Sequence, residues 1–326
     1  MRYPDEQLVH HYRLMVTIRD FEDALSDLFA SGAIGGTSHF CSGQEACAVG
    51  AVAALEPSDL VASNHRGHGH FIAKGADPGR LMAELMGKRD GYSHGRGGSQ
   101  HMADFSIGFL GSNGITAGMI PVATGAALTQ QIKATARVVL CFLGDGACAQ
   151  GAFHEAVNMG AIWQLPIIYF VENNLYAMST SVAENFRRED LAGFANSYAI
   201  PGKTVDGNDY FAVRAVVAEA ADRARAGNGP TLIEAQTWRL WGHSKSDQCE
   251  YRSDEQEAEW AARDPLPRMR QQLISLGVLD EQAADELERR AAGAVEKAVS
   301  FAESSPEPDP ATVGSGILAG SYPQDP

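Results

Sequence analysis

The chain has 326 residues, 44% of them apolar, enough for a large buried core and too many for wholesale disorder. Lys and Arg number 26 against 41 Asp and Glu, a net charge of −15, which excludes the basic surface that sequence-independent nucleic-acid binding requires. Of 34 glycines, ten fall between Gly87 and Gly125 without a G-X-Y period; collagen is excluded, and loops in which backbone closely approaches another group are expected.

In chain order, residues 5–30 predict an amphipathic helix. Leu8, Tyr12, Met15, Ile18, Phe21, Leu25 and Leu28 recur at three- and four-residue steps, and Ser31-Gly32 stops the pattern. Residues 44–55 form a second, Ala-rich helix, 60–62 a short strand, and 78–86 a helix leading into the glycine-rich stretch. Residues 121–133 are helical by propensity. Residues 137–143 (RVVLCFL) are a continuous apolar run, the pattern of a strand covered on both faces. Helix 151–163 follows, then buried strands at 166–171 and 230–237. Strands alternating with helices predict a parallel α/β sheet. Residues 242–254 predict a polar loop and 279–302 a long charged helix. An extended Pro-rich tail ends the chain. The expected division is a helical segment at 1–35, an α/β domain at 36–265 and a helical region with the tail at 266–326.

No run approaches the ~20 apolar residues of a membrane span, and the first fifteen residues lack a signal-peptide core. Five cysteines without a C-x-x-C pair predict free thiols in a reducing compartment. A cytoplasmic protein without membrane or nucleic-acid partners is expected.

The chemistry is carried by Gly144-Asp145-Gly146, then 26 residues, then Asn173-Asn174. The context is strand, turn, helix, strand, turn. In a right-handed βαβ unit the two strands are parallel neighbours, ~4.8 Å apart. Asp145 and Asn174 then meet at the carboxyl edge of the sheet, where open α/β sheets bind ligands. One carboxylate and one amide are hard oxygen donors suited to Mg²⁺, which phosphate oxygens and water complete. Gly146 admits close backbone, and the N–H groups opening the 151–163 helix favour an anion. The pattern therefore describes a Mg²⁺–diphosphate pocket.

GDG, this spacer and NN resemble the thiamine-diphosphate signature. The flanking segments HFCSGQEACAVGA, HRGHGHFIAKGADP, GRGGSQHMAD, LGSNGITAGMIPVATGAAL, GPTLIEAQTWR and WGHSKSDQCEYRS resemble, in order, the alpha subunit of the dehydrogenase component of 2-oxo-acid and acetoin dehydrogenase complexes. The resemblance runs from Tyr12 to Pro308 and implies the thiamine-diphosphate-binding fold of the diphosphate-binding type. It implies Mg²⁺ held by Asp145, Asn174 and the Tyr176 carbonyl. It implies thiamine diphosphate held by His65, Arg66, Gly114, Thr116, Gly146, Ala147, Ala177 and His243 together with those ligands. His243 and His39 would be the catalytic histidines, a residue type whose pKa of ~6.5 suits proton transfer. His68 and His70 complete three histidines in six residues, but no cysteine is spaced to complete a structural zinc site. Ala149 departs from the pattern, which usually has Asn there.

The resemblance also implies what this chain lacks. The Glu that activates the aminopyrimidine lies in a separate pyrimidine-binding domain, for which these residues leave no room. A beta subunit would supply it, in a heterotetramer of two alpha and two beta chains. The implied reaction is 2-oxo acid decarboxylation or acetoin cleavage, with acyl transfer to the lipoyl group of an acyltransferase component. The alternative is a carboligase of the same fold without a lipoyl partner.

Overall fold

The computed structural model describes residues 3–188 and 190–315. In chain order come α1 (Asp5–Ala30), α2 (Glu45–Val52), β1 (Leu60–Ala62), α3 (His68–Ala73), α4 (Pro78–Leu85), β2 (Phe109–Gly111) and α5 (Met119–Ile132). Next are β3 (Val139–Gly144), α6 (Gly151–Ile162), β4 (Ile167–Asn173), a small hairpin of β5 (Tyr176–Ala177) and β6 (Thr180–Ser181), and α7 (Val182–Asn185). Then follow β7 (Gly202–Asp206), α8 (Tyr210–Arg225), β8 (Thr231–Gln236), α9 (Asp254–Ala261), α10 (Pro265–Ser275) and α11 (Glu281–Ser304).

Six strands form one parallel sheet in the order β2-β1-β3-β4-β8-β7. The expected helices and strands are all present, with ends displaced by at most three residues. The sequence reading missed β2, β7, the β5–β6 hairpin, α3, α7, α8, α9 and α10. The expected polar loop from residue 242 ends where α9 begins, at Asp254. Residues 316–326, the end of the expected tail, lie outside the described residues. The tail's nearer part includes a single helical turn at Pro310–Thr312.

Period-two alternation sorts the sheet residues onto two covered faces. Leu140, Phe142, Ile168, Phe170 and Ile233 join the core shared with α1, α2, α8, α10 and α11. Val139, Cys141, Leu143, Ile167, Tyr169, Val171 and Leu232 meet α5 and α6 on the other face. Every residue of β4 is buried, which is why its sequence is continuously apolar up to the edge. All five cysteines are free, four of them buried. No helix among the described residues is long and apolar enough to cross a membrane.

Four of the ten clustered glycines, Gly91, Gly95, Gly97 and Gly98, bring backbone close to a side chain of the chain itself. The Glu84 carboxylate, fully buried at the end of α4, accepts hydrogen bonds from the backbone N–H groups of Ser93, Gly95, Gly97 and Gly98 at 2.7–3.1 Å. The chain wraps around that anion as a nest of amides. A Cβ on Gly95, whose φ is +75°, would stand 2.3 Å from the Gly87 carbonyl carbon. One on Gly91 would stand 2.4 Å from the Glu84 carboxylate. The loop then delivers Ser99 to His68 and Gln100 to His39.

Candidate active site

The sheet reverses its direction of growth between β1 and β3, and a cavity of about 380 Å³ opens at the carboxyl ends of the strands there. Asp145 follows β3 and Asn174 follows β4; these strands are adjacent, with Gly144 paired to Glu172. Asp145 is 3% exposed and forms no ion pair with a described residue. Burial pushes its carboxyl up to about 6, against the pull of Arg239. Asn174 Nδ2 donates to Gln44 Oε1 at 3.1 Å, which leaves the buried Asn174 Oδ1 facing no protein partner. A buried carboxylate with no ion pair among the described residues and an orphaned amide oxygen at one sheet edge are hard oxygen donors. The site therefore fits a hard divalent metal.

The two asparagines divide their labour. Asn173 Nδ2 donates to the buried Glu234 at 2.7 Å, and its Oδ1 accepts from the Leu175 N–H. Asn173 thus shapes the turn, and Asn174 faces the cavity. The Tyr176 carbonyl accepts from Arg239 Nη2 at 3.2 Å. Arg239 is fully buried, with its Nε and Nη1 unpartnered. Neither Gln44 nor Arg239 stood out in the sequence, although both lie inside segments that carried the resemblance.

Gly146 has the hairpin of Tyr176 and Ala177 directly over it; a Cβ there would meet Ala177 Cβ at 2.7 Å. Gly146→Ala is expected to push the hairpin outward and weaken diphosphate binding about tenfold, the equivalent of ~1.4 kcal/mol of overpacking. Calorimetric titration with thiamine diphosphate and Mg²⁺ checks this. Ala147, Thr116 and Ala177 line the cavity, as do Asn113, Ile115 and Glu172. Gly114 is not among the lining residues; a Cβ on it would press on Gln100 Oε1 at 2.5 Å. Ala149 lies at the exposed rim.

The three close-spaced histidines separate. His68 pairs with Glu22 at 3.0 Å and His70 with Glu172 at 3.1 Å, both fully buried, and the His70 ring stacks on Phe142. They bind the loop into the core. His65 alone reaches the cavity, where it meets His39 and His243 with ring centroids 4.7 and 5.7 Å away. Burial and then the Arg66 charge lower their pKa values, to about 3 for His39, about 2 for His65 and about 4 for His243. All three are therefore neutral at pH 7. A folded pKa below the unfolded ~6.5 means that the unfolded chain binds more protons, so each group costs stability as pH falls from 6.5 toward the folded value. An NMR titration should show their ring carbons unchanged from pH 8 to about 5.5.

Arg66 was expected to meet a diphosphate oxygen. In this structure Nη1 donates to the Phe40 carbonyl and Nη2 to the His243 carbonyl, the latter at 3.0 Å. The guanidinium is buried at the cavity wall and ties together the backbones that carry His39 and His243. The loop after Trp241 is built around Asp247, which accepts from the His243 and Cys249 N–H groups and the Tyr251 hydroxyl.

A parallel sheet that presents a buried carboxylate, an amide oxygen and a glycine turn at its switch point has the layout of an α/β enzyme chain. A family model described as dehydrogenase E1 component matches residues 13–311. The alpha subunit of acetoin:2,6-dichlorophenolindophenol oxidoreductase from Bacillus subtilis (strain 168) is 43% identical over 305 residues, 93% of this chain and 91% of that protein. Its counterpart in Cupriavidus necator is 42% identical over 306 residues, 94% and 92% of the two chains. The pyruvate dehydrogenase E1 component subunit alpha of Rhizobium meliloti (strain 1021) is 40% identical over 308 residues, covering 94% and 88%. The chain belongs to the dehydrogenase E1 component family and is an alpha-type chain of that family.

Proposed function

We propose that Asp145, Asn174 and the Tyr176 carbonyl hold Mg²⁺, and that the cavity beside them holds the diphosphate of thiamine diphosphate against Gly146 and Ala147. Dependence on thiamine diphosphate follows from membership of the E1 family. The observation that carries the metal assignment is the buried pair of an unpaired Asp145 and an orphaned Asn174 Oδ1. The Tyr176 carbonyl accepts one hydrogen bond from Arg239 and keeps a second lone pair for the metal, and the two unpartnered nitrogens of that guanidinium make a diphosphate oxygen an apt acceptor.

The cofactor supplies a nucleophilic carbon for addition to a substrate carbonyl. This chain's residues do the rest on their side of the cavity. The neutral rings of His65 and His243 each carry one N–H and one lone pair toward the cavity, and His39, whose Nδ1 is held by Gln100, adds its other nitrogen beside them. They can pass a proton there without competing for the positive charge that Arg66 already provides.

The chain works with a beta subunit. Among the described residues lining the cavity, the only carboxylates are Asp145 and Glu172, and Glu172 is engaged by His70 and Asn64. No carboxylate is left to activate an aminopyrimidine. Ile115 and Met178 at the cavity rim are 71% and 64% exposed, an apolar edge suited to a covering subunit. We assign the partner the pyrimidine-binding domain and its activating Glu, in a heterotetramer of two alpha and two beta chains. The substrate is acetoin or a 2-oxo acid, and the acyl acceptor is a lipoyl group.

Co-expression with a beta subunit, followed by dye reduction with acetoin and a 2-oxo acid panel, tests this. Activity that requires both subunits, thiamine diphosphate and Mg²⁺ is expected. Turnover without added cofactor after exhaustive removal would sink the reading. Carbon–carbon ligation in the absence of any acyl acceptor would favour the carboligase.

A further inference from the structure

We propose that His39, His65 and His243 form a second metal site, taking Zn²⁺ or a similar imidazole-seeking divalent cation, that blocks the substrate end of the cavity. One nitrogen of each ring lies within 4.8 Å of the others. The ring planes of His39 and His65 stand at 78°, and those of His39 and His243 at 83°, so the edges converge from separate directions. Tetrahedral zinc at ~2.0–2.1 Å from each nitrogen needs the nitrogens about 3.4 Å apart. Each ring therefore has to move by about an ångström or less, within the play of a side-chain torsion. Three imidazoles with an open fourth position are a zinc set distinct from the oxygen donors of Asp145 and Asn174. Asp145 contributes no atom to this cluster.

The cluster is held ready by its surroundings. Arg66, next to His65, donates to the carbonyls of Phe40 and His243, so one guanidinium fixes the backbone at all three ligands. His39 Nδ1 lies 2.9 Å from the Gln100 side-chain amide. Turning that amide over presents its oxygen to a protonated Nδ1 and frees Nε2 for metal, the usual outer-shell arrangement of a ligating histidine. The Arg66 charge opposes a cation here. Asp247, on the His243 backbone N–H at 2.6 Å, opposes that repulsion. Burial keeps the rings unprotonated, the form that binds metal.

Two arms test the site on the assembled complex. In the first, Co²⁺ is added before any cofactor or substrate. The intense visible bands of four-coordinate cobalt are expected, weakened at least tenfold in His65→Gln at the same Co²⁺ concentration. In the second, Zn²⁺ is added to the complex loaded with thiamine diphosphate and excess Mg²⁺. Loss of activity is expected to be competitive with the oxo substrate and reversed by a chelator but not by more Mg²⁺. With each complex normalised to its own zinc-free activity, the Zn²⁺ needed for half inhibition should be at least tenfold higher in His65→Gln than in the unaltered complex. If His65→Gln does not assemble, His243→Gln gives the same two readouts. Pale six-coordinate cobalt bands, relief by Mg²⁺, or a zinc response unchanged by the substitution would each overturn the proposal. The second arm rests on the proposed reaction and the first does not, so a failure of that reading leaves the spectroscopic result decisive.

Discussion

An Asp145→Ala complex should bind thiamine diphosphate with Mg²⁺ at least about 10²-fold more weakly than the unaltered complex, and its turnover should fall at least as far. Losing the only charged donor of the set costs on the order of 3 kcal/mol, equivalent to a factor of about 10². The stability of the unloaded chain should move the other way. The folded pKa of Asp145, near 6, lies above its ordinary value because burial disfavours the charge. A carboxyl raised in this way costs stability as pH climbs from its unfolded pKa through its folded one, and the cost is fully present above about pH 6. Asp145→Ala should therefore melt higher than the native chain at pH 8 without metal, with the difference shrinking toward pH 4. Calorimetric melting of both proteins at the two pH values, with and without Mg²⁺ and cofactor, checks the pair of signs. An Asp145→Ala chain that melts lower at pH 8 and keeps normal cofactor affinity would remove Asp145 from the site.

Glu84→Ala should be the most damaging substitution outside the cavity. It leaves four backbone N–H groups without their acceptor inside the fold, each worth ~1–3 kcal/mol when unpaired. Water entering the space will satisfy some of them, so a net loss of about 3–5 kcal/mol is expected in denaturant titration. Glu84→Gln keeps one acceptor oxygen but loses the charge, and should cost less. The same substitution should reach the cavity, because the loop it unravels carries Gln100 to His39 and Ser99 to His68. A Glu84→Gln chain that still folds should show an altered His39 ring environment by NMR. An unchanged His39 signal would separate the loop from the site.

The central unit of the fold was legible because its signals are local. The runs RVVLCFL and PIIYFV are apolar without interruption, as strands covered on both faces must be, and a helix of good formers lies between them. That unit alone placed Asp145 beside Asn174. The edges were not legible, for a physical reason: β2 has three residues and β7 is half exposed, so neither has room for a periodic pattern. The helix α8 was overlooked although Asp209 caps it and Val213, Val217 and Ala220 follow at helical steps.

At the site, type and motif pointed to Asp145, Asn174, His65, His39 and His243, and the structure gathers the three histidines into one cluster. Gln44, Gln100 and Arg239 act through contacts spanning 60 to 130 residues of sequence, which no local pattern reports. Glycine clustering was informative only in part, for a related reason. It signals close approach of backbone to something, and composition does not say that the something is Glu84.

The Glu84 loop is also tied to the far end of the chain. The Arg89 N–H donates to the Pro306 carbonyl, and the Arg96 guanidinium donates to the carbonyls of Thr312 and Ser315. α11, which leads to those residues, packs along α1 and α4. During synthesis the ribosome releases the sheet and the turns of Asp145 and Asn174 before residues 306–315 emerge. The loop that steers Gln100 toward His39 therefore meets these anchors only after the sheet has been translated. A nascent chain can bring Asp145 beside Asn174 first and steady Gln100 against His39 only afterwards.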